Sequence, residues 1–257
     1  MREIDYHKRI WELQKKIFSC SCLNPNQSPT CYPDLHENVI KYKYSSDSIY
    51  IGKDYGKTKD FPRILFIGNN PYSKPNDFGT LYSVLKIYGN DLLSIRYKDF
   101  FKSYFNGIPG FKGVKQFTLF NDETWSISRI FKDIFSIDTN RIQPFSLTNG
   151  VLCMCRGARG APTGRMRKNC IKKQGWLRKT LKILEPDIIF IFSIGEDNST
   201  WSAFTKENMD IDKEIEFKPE SKNAYKIRYK PEKRYMEHES LVFGIPHLTS
   251  TKKRFRT

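Results

Sequence analysis

Three polar side chains, Asn70, Asn149 and His247, each follow a stretch of apolar residues. If those stretches are neighbouring parallel strands, their carboxyl ends lie at one edge of a sheet, and the three side chains should face a shared pocket. Each residue also has a simpler explanation when taken alone. The sequence Gly68-Asn69-Asn70-Pro71 suits a strand-to-helix turn, Asn149 could cap a turn or helix, and His247 could be a hydrogen-bonded core histidine.

Apolar strands alternating with helical patterns predict an α/β fold. We expect strands at 63–68, 144–151, 187–195 and 240–247, with one or two more at 38–52. Helices are predicted at 3–18, 124–135 and 170–184, and one beginning near Asp77. Unbroken apolar strands are typical of parallel sheets covered on both faces. The predicted fold is therefore a three-layer α/β/α arrangement around a central, mostly parallel four-stranded sheet.

The chain length of 257 residues predicts one domain over residues 1–257. Within it, residues 1–60 form an N-terminal helix and a cysteine-bearing segment, and residues 205–239 are expected to be a charged insertion. The stretch 212–239 carries eight basic and seven acidic residues, a balance typical of a solvated surface. No apolar run reaches the length of a membrane span, and we expect a soluble, intracellular protein.

Positive charge is concentrated in one part of the chain. Lys and Arg outnumber Asp and Glu by 44 to 28, which gives a formal net charge of +16. From Arg156 to Lys182 there are ten basic residues and no acidic one. A block of one sign predicts binding to a polyanion, most commonly nucleic acid.

Six cysteines occur in two groups, Cys20, Cys22 and Cys31, then Cys153, Cys155 and Cys170. Without a secretion signal, disulfides are the weaker interpretation. A metal or cluster site that draws on both groups is a serious alternative. Scattered reduced thiols that pack as small hydrophobes would explain one pair more easily than two groups.

The order and spacing of these features resemble the uracil-DNA glycosylase superfamily. Gly68-Asn69-Asn70-Pro71 matches its first motif, and the following Tyr72 gives the Pro-Tyr pair of the classical branch. FGTLYSVL at 78–85 resembles a downstream segment of that branch, SLTNGVLC contains the strand-end asparagine, and PHLTS at 246–250 resembles the terminal motif. Leu248 and Thr249 replace the usual proline and serine there. The resemblance covers roughly residues 60–90, 144–195 and 240–252.

The resemblance implies a site that binds a base flipped out of DNA. Tyr82 would stack on the base, and the Asn149 amide would pair with O4 and N3–H of uracil. Tyr72, held by Pro71, would crowd C5 and exclude thymine. Asn70 would position the attacking water, although it is a weaker base than an aspartate, and His247 would stabilise charge that develops on O2. Gly68 and Asn69 complete the substrate-binding motif.

The cysteines resemble those of the iron–sulfur branch of the same superfamily. In that branch a cluster cysteine follows the recognition asparagine by four positions, as Cys153 follows Asn149, and a basic loop leads to another, here Cys170. Two further ligands come from an N-terminal Cys-x-x-Cys, from which Cys20-Ser21-Cys22 departs. The implied ligands of a [4Fe–4S] cluster are Cys22, Cys31, Cys153 and Cys170, with Cys20 in reserve, and Zn²⁺ is the alternative. No cofactor is required for the chemistry.

The expected function is a DNA glycosylase that leaves an abasic site during base-excision repair, acting as a monomer in the cytoplasm or on the nucleoid. Arg254 or Phe255 could fill the gap left by the flipped base. The residues expected to contact DNA phosphates are Arg156, Arg159, Arg165, Arg167, Lys168, Lys252, Lys253 and Arg254.

Three alternatives stay open. The same fold could act on a modified pyrimidine, for example in defence against phage, or on a deaminated purine. The chain could instead be a non-catalytic nucleic-acid-binding module with a metal-stabilised fold. It could also be an unrelated α/β enzyme, since this fold class hosts many functions.

Overall fold

The computed structural model describes residues 5–42, 49–57, 61–68, 95–108, 111–112, 127–138, 143–153, 155–156, 162–192, 200–202, 215–232 and 234–245. Its α-helices are α1 (Tyr6–Phe18), α2 (Glu37–Tyr42), α3 (Tyr97–Asn106), α4 (Ile127–Phe135), α5 (Gly164–Arg167), α6 (Trp176–Leu184) and α7 (Thr200–Ser202). A π-helical segment, Lys168–Lys173, lies between α5 and α6, and short 3₁₀ turns occur at Ser21–Leu23 and Tyr32–Asp34. None of the described helices is long and apolar enough to span a membrane.

The strands are β1 (Tyr50–Ile51), β2 (Ile64–Gly68), β3 (Gly107–Ile108), β4 (Phe111–Lys112), β5 (Phe145–Asn149), β6 (Ile188–Phe192), β7 (Ile215–Ser221), β8 (Ala224–Tyr229) and β9 (His238–Ile245). Seven of them form one sheet in the order β1-β5-β2-β6-β9-β8-β7, and β3 pairs with β4 in a separate hairpin. The four central strands, β5, β2, β6 and β9, are mutually parallel. They correspond to the four predicted strands.

The predicted sheet of four strands is wrong in its strand count, because the sheet is a mixed one of seven. β1 adds an antiparallel strand at one edge, and β8 and β7 extend the other edge antiparallel to β9. Two of these strands come from the stretch expected to be a charged insertion. In β8, Lys226 and Arg228 lie on one face and form ion pairs with Glu239, while Ile227 and Tyr229 are buried on the other face.

Helices pack against both faces of the sheet. On one face, Phe131 of α4 lies 5.9 Å from Phe66 of β2, and Phe66 stacks on Phe190 of β6 at 5.3 Å. On the other face, the Tyr229 hydroxyl of β8 donates to the Leu181 carbonyl of α6. This arrangement follows from right-handed crossovers, since the chain moves in opposite directions along the sheet after β2 and after β5.

Helix α1 packs against α6 and carries the apolar face that its sequence predicts. Asp5 caps its first turn by accepting a hydrogen bond from the Lys8 amide, and Ile10, Leu13 and Ile17 are buried. Two predictions of secondary structure need correction. The predicted helix at 170–184 is broken at Gly175, whose φ of 62° is left-handed. The first part of the stretch expected to form strands, residues 38–42, lies in helix α2. The helix predicted near Asp77 lies outside the described residues.

Five charged residues form an ion-pair cluster around the buried Glu185 at the amino ends of β2, β6 and β9: Arg9, Arg63, Glu185, Asp187 and Arg234. Arg63 holds Asp187 in a bidentate pair, with Nη2 to Oδ1 at 2.7 Å and Nε to Oδ2 at 3.1 Å. The fully buried Glu185 carboxylate accepts Arg234 at 2.7 Å and Arg63 at 3.3 Å. The cluster joins α1 and the end of α6 to the sheet.

Stability should fall as the pH drops below about 6.5, and His238 beside this cluster is one cause. Burial lowers the pKa of His238 from its ordinary value of 6.5, so the unfolded chain binds the proton more readily and acid favours unfolding. Burial alone would raise the pKa of Asp187, but the hydrogen bonds from Arg63 outweigh it and lower that pKa below 3.8. Asp187 therefore adds a second loss of stability below about pH 4.

Urea denaturation at pH 7.5, 5.5 and 4.0 would measure this dependence. Since desolvation also lowers the pKa of the half-buried His7, the informative comparison is with His238→Gln, which can still donate to the Pro186 carbonyl. The loss between pH 7.5 and 5.5 should be smaller in this variant. An equal loss in both proteins would show that His238 does not contribute.

Candidate functional site

The structure describes two residues of the predicted substrate site, Gly68 and Asn149. They are register partners at the carboxyl ends of the adjacent parallel strands β2 and β5. The predicted residues Asn69, Asn70, Pro71, Tyr72, Tyr82 and His247 lie outside the described residues, so their positions remain predictions. In the sequence, Asn70 follows the end of β2 by two residues, and His247 follows the end of β9 by two.

The carboxyl ends of β2 and β5, at Gly68 and Asn149, are tightly packed. The Gly68 carbonyl accepts hydrogen bonds from the Gly150 amide at 2.9 Å and from the Thr200 hydroxyl at 3.0 Å. A Cβ atom at Gly68 would collide with Oδ1 of Asn149, and one at Gly150 would lie 2.5 Å from the Thr200 hydroxyl. A side chain at either position would therefore force Asn149 or Thr200 to move. Thr200, which sequence reasoning missed, secures the strand end from α7.

The site lies at the edge of the sheet where a doubly wound fold binds ligands. The chain moves from β2 to β5 on one side of β2, and later from β6 to β9 on the other side. Connections that diverge in this way leave a crevice outside the carboxyl ends of the strands, here between β2 and β6. Gly68 ends β2 and Phe192 ends β6 at this crevice.

Replacing Gly68 with alanine should destabilise the fold by about 1–3 kcal/mol, because the added methyl group displaces the Asn149 side chain. Urea denaturation would measure the change. Gly164→Ala is the matched control, because a Cβ there meets nothing closer than Nη2 of Arg167 at 3.9 Å. Equal stabilities of wild type and Gly68→Ala would contradict the close packing of this strand end.

A second candidate site is the cysteine cluster, which we define as Cys20, Cys22, Cys31, Cys153, Cys155 and Cys170. All six thiols are buried and none forms a disulfide. The Cys31 amide donates to the Cys22 carbonyl and closes the N-terminal loop on itself. Backbone contacts hold this loop against the later segment: Leu35 forms a bridge with Cys155, and the Arg156 amide donates to the Asp34 carbonyl. The two sequence groups thus meet in space.

Four of these thiols lie in contact one after another: Cys20 with Cys22, Cys22 with Cys31, and Cys31 with Cys170. The contacts to Cys20 and Cys31 lower the pKa of Cys22, and the contact to Cys31 lowers that of Cys170. As donors in the same contacts, and because they are buried, Cys20 and Cys31 have raised pKa values. The contacts therefore favour the thiolate form at Cys22 and Cys170, the form in which cysteine binds metal.

The two cysteines outside the main predicted ligand set, Cys20 and Cys155, have different surroundings. Cys20, held in reserve as a ligand, contacts Cys22 directly and lies close enough to Cys153 for their charges to interact. Cys155 has its Sγ 3.7 Å from the Cys153 carbonyl, and burial raises its pKa to about 12. Among the described residues, no group of three or more His, Cys, Asp or Glu side chains is positioned to hold a metal ion.

The predicted DNA-contacting residues differ in exposure. Arg156, Arg165 and Lys168 are exposed, and Arg165 also lies 3.5 Å from the Asp34 carboxylate. Arg167 is buried at 6% exposure, which does not suit the surface contact predicted for it. Arg159, Lys252, Lys253 and Arg254 lie outside the described residues.

Further exposed lysines lie beside the cysteine cluster. We call them, together with Arg156, Arg165 and Lys168, the basic surface. Lys172 and Lys173 are exposed on the π-helical segment, and Lys179 lies 4.3 Å above the Trp176 ring. This surface joins the cysteine cluster to the start of α6.

Comparison with known proteins found no matching family model and no matching curated protein.

Proposed function

We propose that this protein is a DNA glycosylase that extrudes a pyrimidine, most simply uracil, and hydrolyses its N-glycosidic bond. The observation that carries the proposal is the pairing of Gly68 with Asn149 at adjacent strand ends. Two segments that resemble separate uracil-DNA glycosylase motifs are far apart in the sequence and adjacent in the fold. The order β5-β2-β6-β9 of the parallel strands, with helices on both faces, agrees with a three-layer α/β/α core.

In this proposal the flipped base enters the crevice beside β2. The Asn149 amide donates to O4 of uracil and accepts from N3–H, a pairing that cytosine does not offer. Tyr82 stacks on the base and Tyr72 limits space at C5. Because Asn149 Oδ1 packs beside Gly68, the strand end itself restricts the orientation of the amide.

Hydrolysis breaks the bond between C1′ of the sugar and N1 of the base. The base leaves with the bonding electron pair, water adds to C1′, and the water proton is released. Asn70 orients this water and His247 donates a hydrogen bond to O2, where negative charge accumulates on the departing base. Asn70 is not a strong base, so most of the rate enhancement is assigned to stabilisation of the leaving group.

The cysteine cluster is proposed to hold a [4Fe–4S] cluster, with Zn²⁺ as the alternative. The chemistry of the donor set suits such a group, because all six thiols are buried and the contacts among four of them favour the thiolate form at Cys22 and Cys170. Cys22, Cys31, Cys153 and Cys170 are the proposed ligands, and Cys20 is close enough to replace one of them. When bound, the group would link the N-terminal loop to the basic surface; it takes no part in hydrolysis.

DNA is the proposed partner of the basic surface. Arg156, Lys168 and the exposed lysines of the π-helical segment would contact phosphates, giving affinity that falls with salt and is indifferent to sequence. An enzyme that excises bases from genomic DNA would act on the nucleoid in the cytoplasm.

The test uses purified protein and a labelled oligonucleotide with a single uracil, followed by alkali to cut any abasic site. A matched oligonucleotide carries a modified cytosine in place of uracil. Cleavage of the uracil strand supports the proposal. Cleavage of the modified strand alone would keep the reaction class and overturn the substrate, and DNA binding without cleavage of either strand would favour a binding module.

A further inference from the structure

Two side-chain amides in the cysteine cluster point their N–H groups at sulfur atoms. Nδ2 of Asn169 lies 3.4 Å from Sγ of Cys31, and Nε2 of Gln174 lies 3.3 Å from Sγ of Cys22. Asn169 is only 4% exposed. Its Nδ2 also donates to the Thr30 carbonyl at 3.0 Å, and because a carbonyl can only accept, this contact fixes which end of the amide faces the sulfur.

Both amides depend on the π-helical segment. The Gln174 backbone amide donates to the Asn169 carbonyl at 2.9 Å, an i→i+5 hydrogen bond. In an ordinary α-helix, residues five apart would point about 140° away from each other. The wider turn places Gln174 one turn above Asn169, so that both reach the N-terminal loop. Cys170 lies in the same segment.

We propose that Asn169 and Gln174 are positioning residues for the metal centre of the cysteine cluster. Their N–H groups hold the sulfurs of Cys31 and Cys22 in place and withdraw electron density from them. Such hydrogen bonds to ligating sulfurs stabilise the bound thiolates and favour the reduced state of an iron–sulfur centre. The π-helical segment thus supplies one ligand and orients two others. This inference rests on the proposed cofactor.

The test compares wild type with Gln174→Met and Asn169→Leu, which replace each amide with an apolar side chain of similar size. Lys172→Met is the matched control, an exposed change on the same segment. Iron, acid-labile sulfide and zinc are measured in each protein, with metal release to a chelator and the midpoint potential followed by visible absorbance. Thermal melting reports folding.

We expect the wild type and Lys172→Met to hold the metal equally. Both amide variants should bind it at least about tenfold more weakly. In the iron-loaded proteins, the midpoint potential of the variants should be lower. Gln174 is only half-buried, so Gln174→Met decides the question if Asn169→Leu misfolds.

A loaded wild type with an unchanged Gln174→Met would overturn this inference alone. Wild type that retains neither iron nor zinc after anaerobic purification would overturn the cofactor proposal, and this inference with it. Uracil excision is read separately, so failure of the glycosylase proposal leaves these outcomes interpretable.

Discussion

Replacing Asn149 with alanine should lower kcat/KM for uracil excision by about 10²–10³-fold, the usual loss when a positioned donor is removed from a reaction centre. The variant loses both the donor to O4 and the acceptor from N3–H, so the extruded base is neither held nor recognised. Alkaline cleavage of the uracil oligonucleotide, followed over time at several substrate concentrations, gives kcat/KM for each protein.

A control variant and a check on folding are needed to assign the loss of activity to base recognition. Asn223→Ala is the control, because its side chain is exposed in the turn between β7 and β8, remote from the proposed site. The melting temperature of Asn149→Ala must be checked, since the side chain packs beside Gly68. Near-normal excision by folded Asn149→Ala would remove Asn149 from base recognition and weaken the likeness to uracil-DNA glycosylases.

Replacing Glu185 with glutamine should destabilise the fold by about 3–5 kcal/mol, the usual cost of removing one partner from a buried ion pair. The side chain is fully buried, and its carboxylate contacts Arg63 and Arg234, with Arg9 at 3.9 Å. The amide of glutamine keeps the shape but loses the negative charge that balances these arginines. The urea midpoint at neutral pH measures the loss.

The backbone conformation at Glu185 does not affect this comparison, because glutamate and glutamine are equally constrained by it. Its φ of 49° is left-handed, in the position after a helix where glycine is usual. Glu232→Gln is the matched control, because Glu232 pairs with Arg9 but its side chain is 57% exposed. That change should cost about 1 kcal/mol or less. Similar losses in both variants would mean that burial does not increase the importance of Glu185.

The parallel core could be predicted from the sequence because its strands are unbroken apolar runs. ILFIG at 64–68 and IIFIF at 188–192 are short, rich in isoleucine and phenylalanine, and typical of strands in a sheet covered on both faces. The edge strands could not be predicted in this way. In β7 and β8 the buried side chains alternate with lysine, arginine and glutamate, and the ion pairs that make those charges compatible with a strand are made across the sheet.

Part of the candidate site was predicted for the same reason. Gly68 and Asn149 end apolar runs, and parallel strands bring such ends together. The sequence carried no comparable signal for Thr200, which reaches Gly68 from a three-residue helix, or for Asn169 and Gln174, which depend on a π-helical turn. Asn169 did have one local sign, since it directly precedes a cysteine in the basic stretch. The residues of the ion-pair cluster share no spacing or motif in the sequence, so their contacts could not be predicted from it.

The contacts of the N-terminal segment also bear on synthesis of the protein. Cys31 and Asn169 are 138 residues apart, and Arg9 and Glu232 are 223 apart. At about 5–20 residues per second, translation leaves α1 without its last partner for about 10–45 s. Throughout much of that interval the apolar face of α1 and three early cysteines are exposed. A nascent chain of this kind is most vulnerable to aggregation and thiol oxidation at its N-terminal end, the part that is made first and completed last.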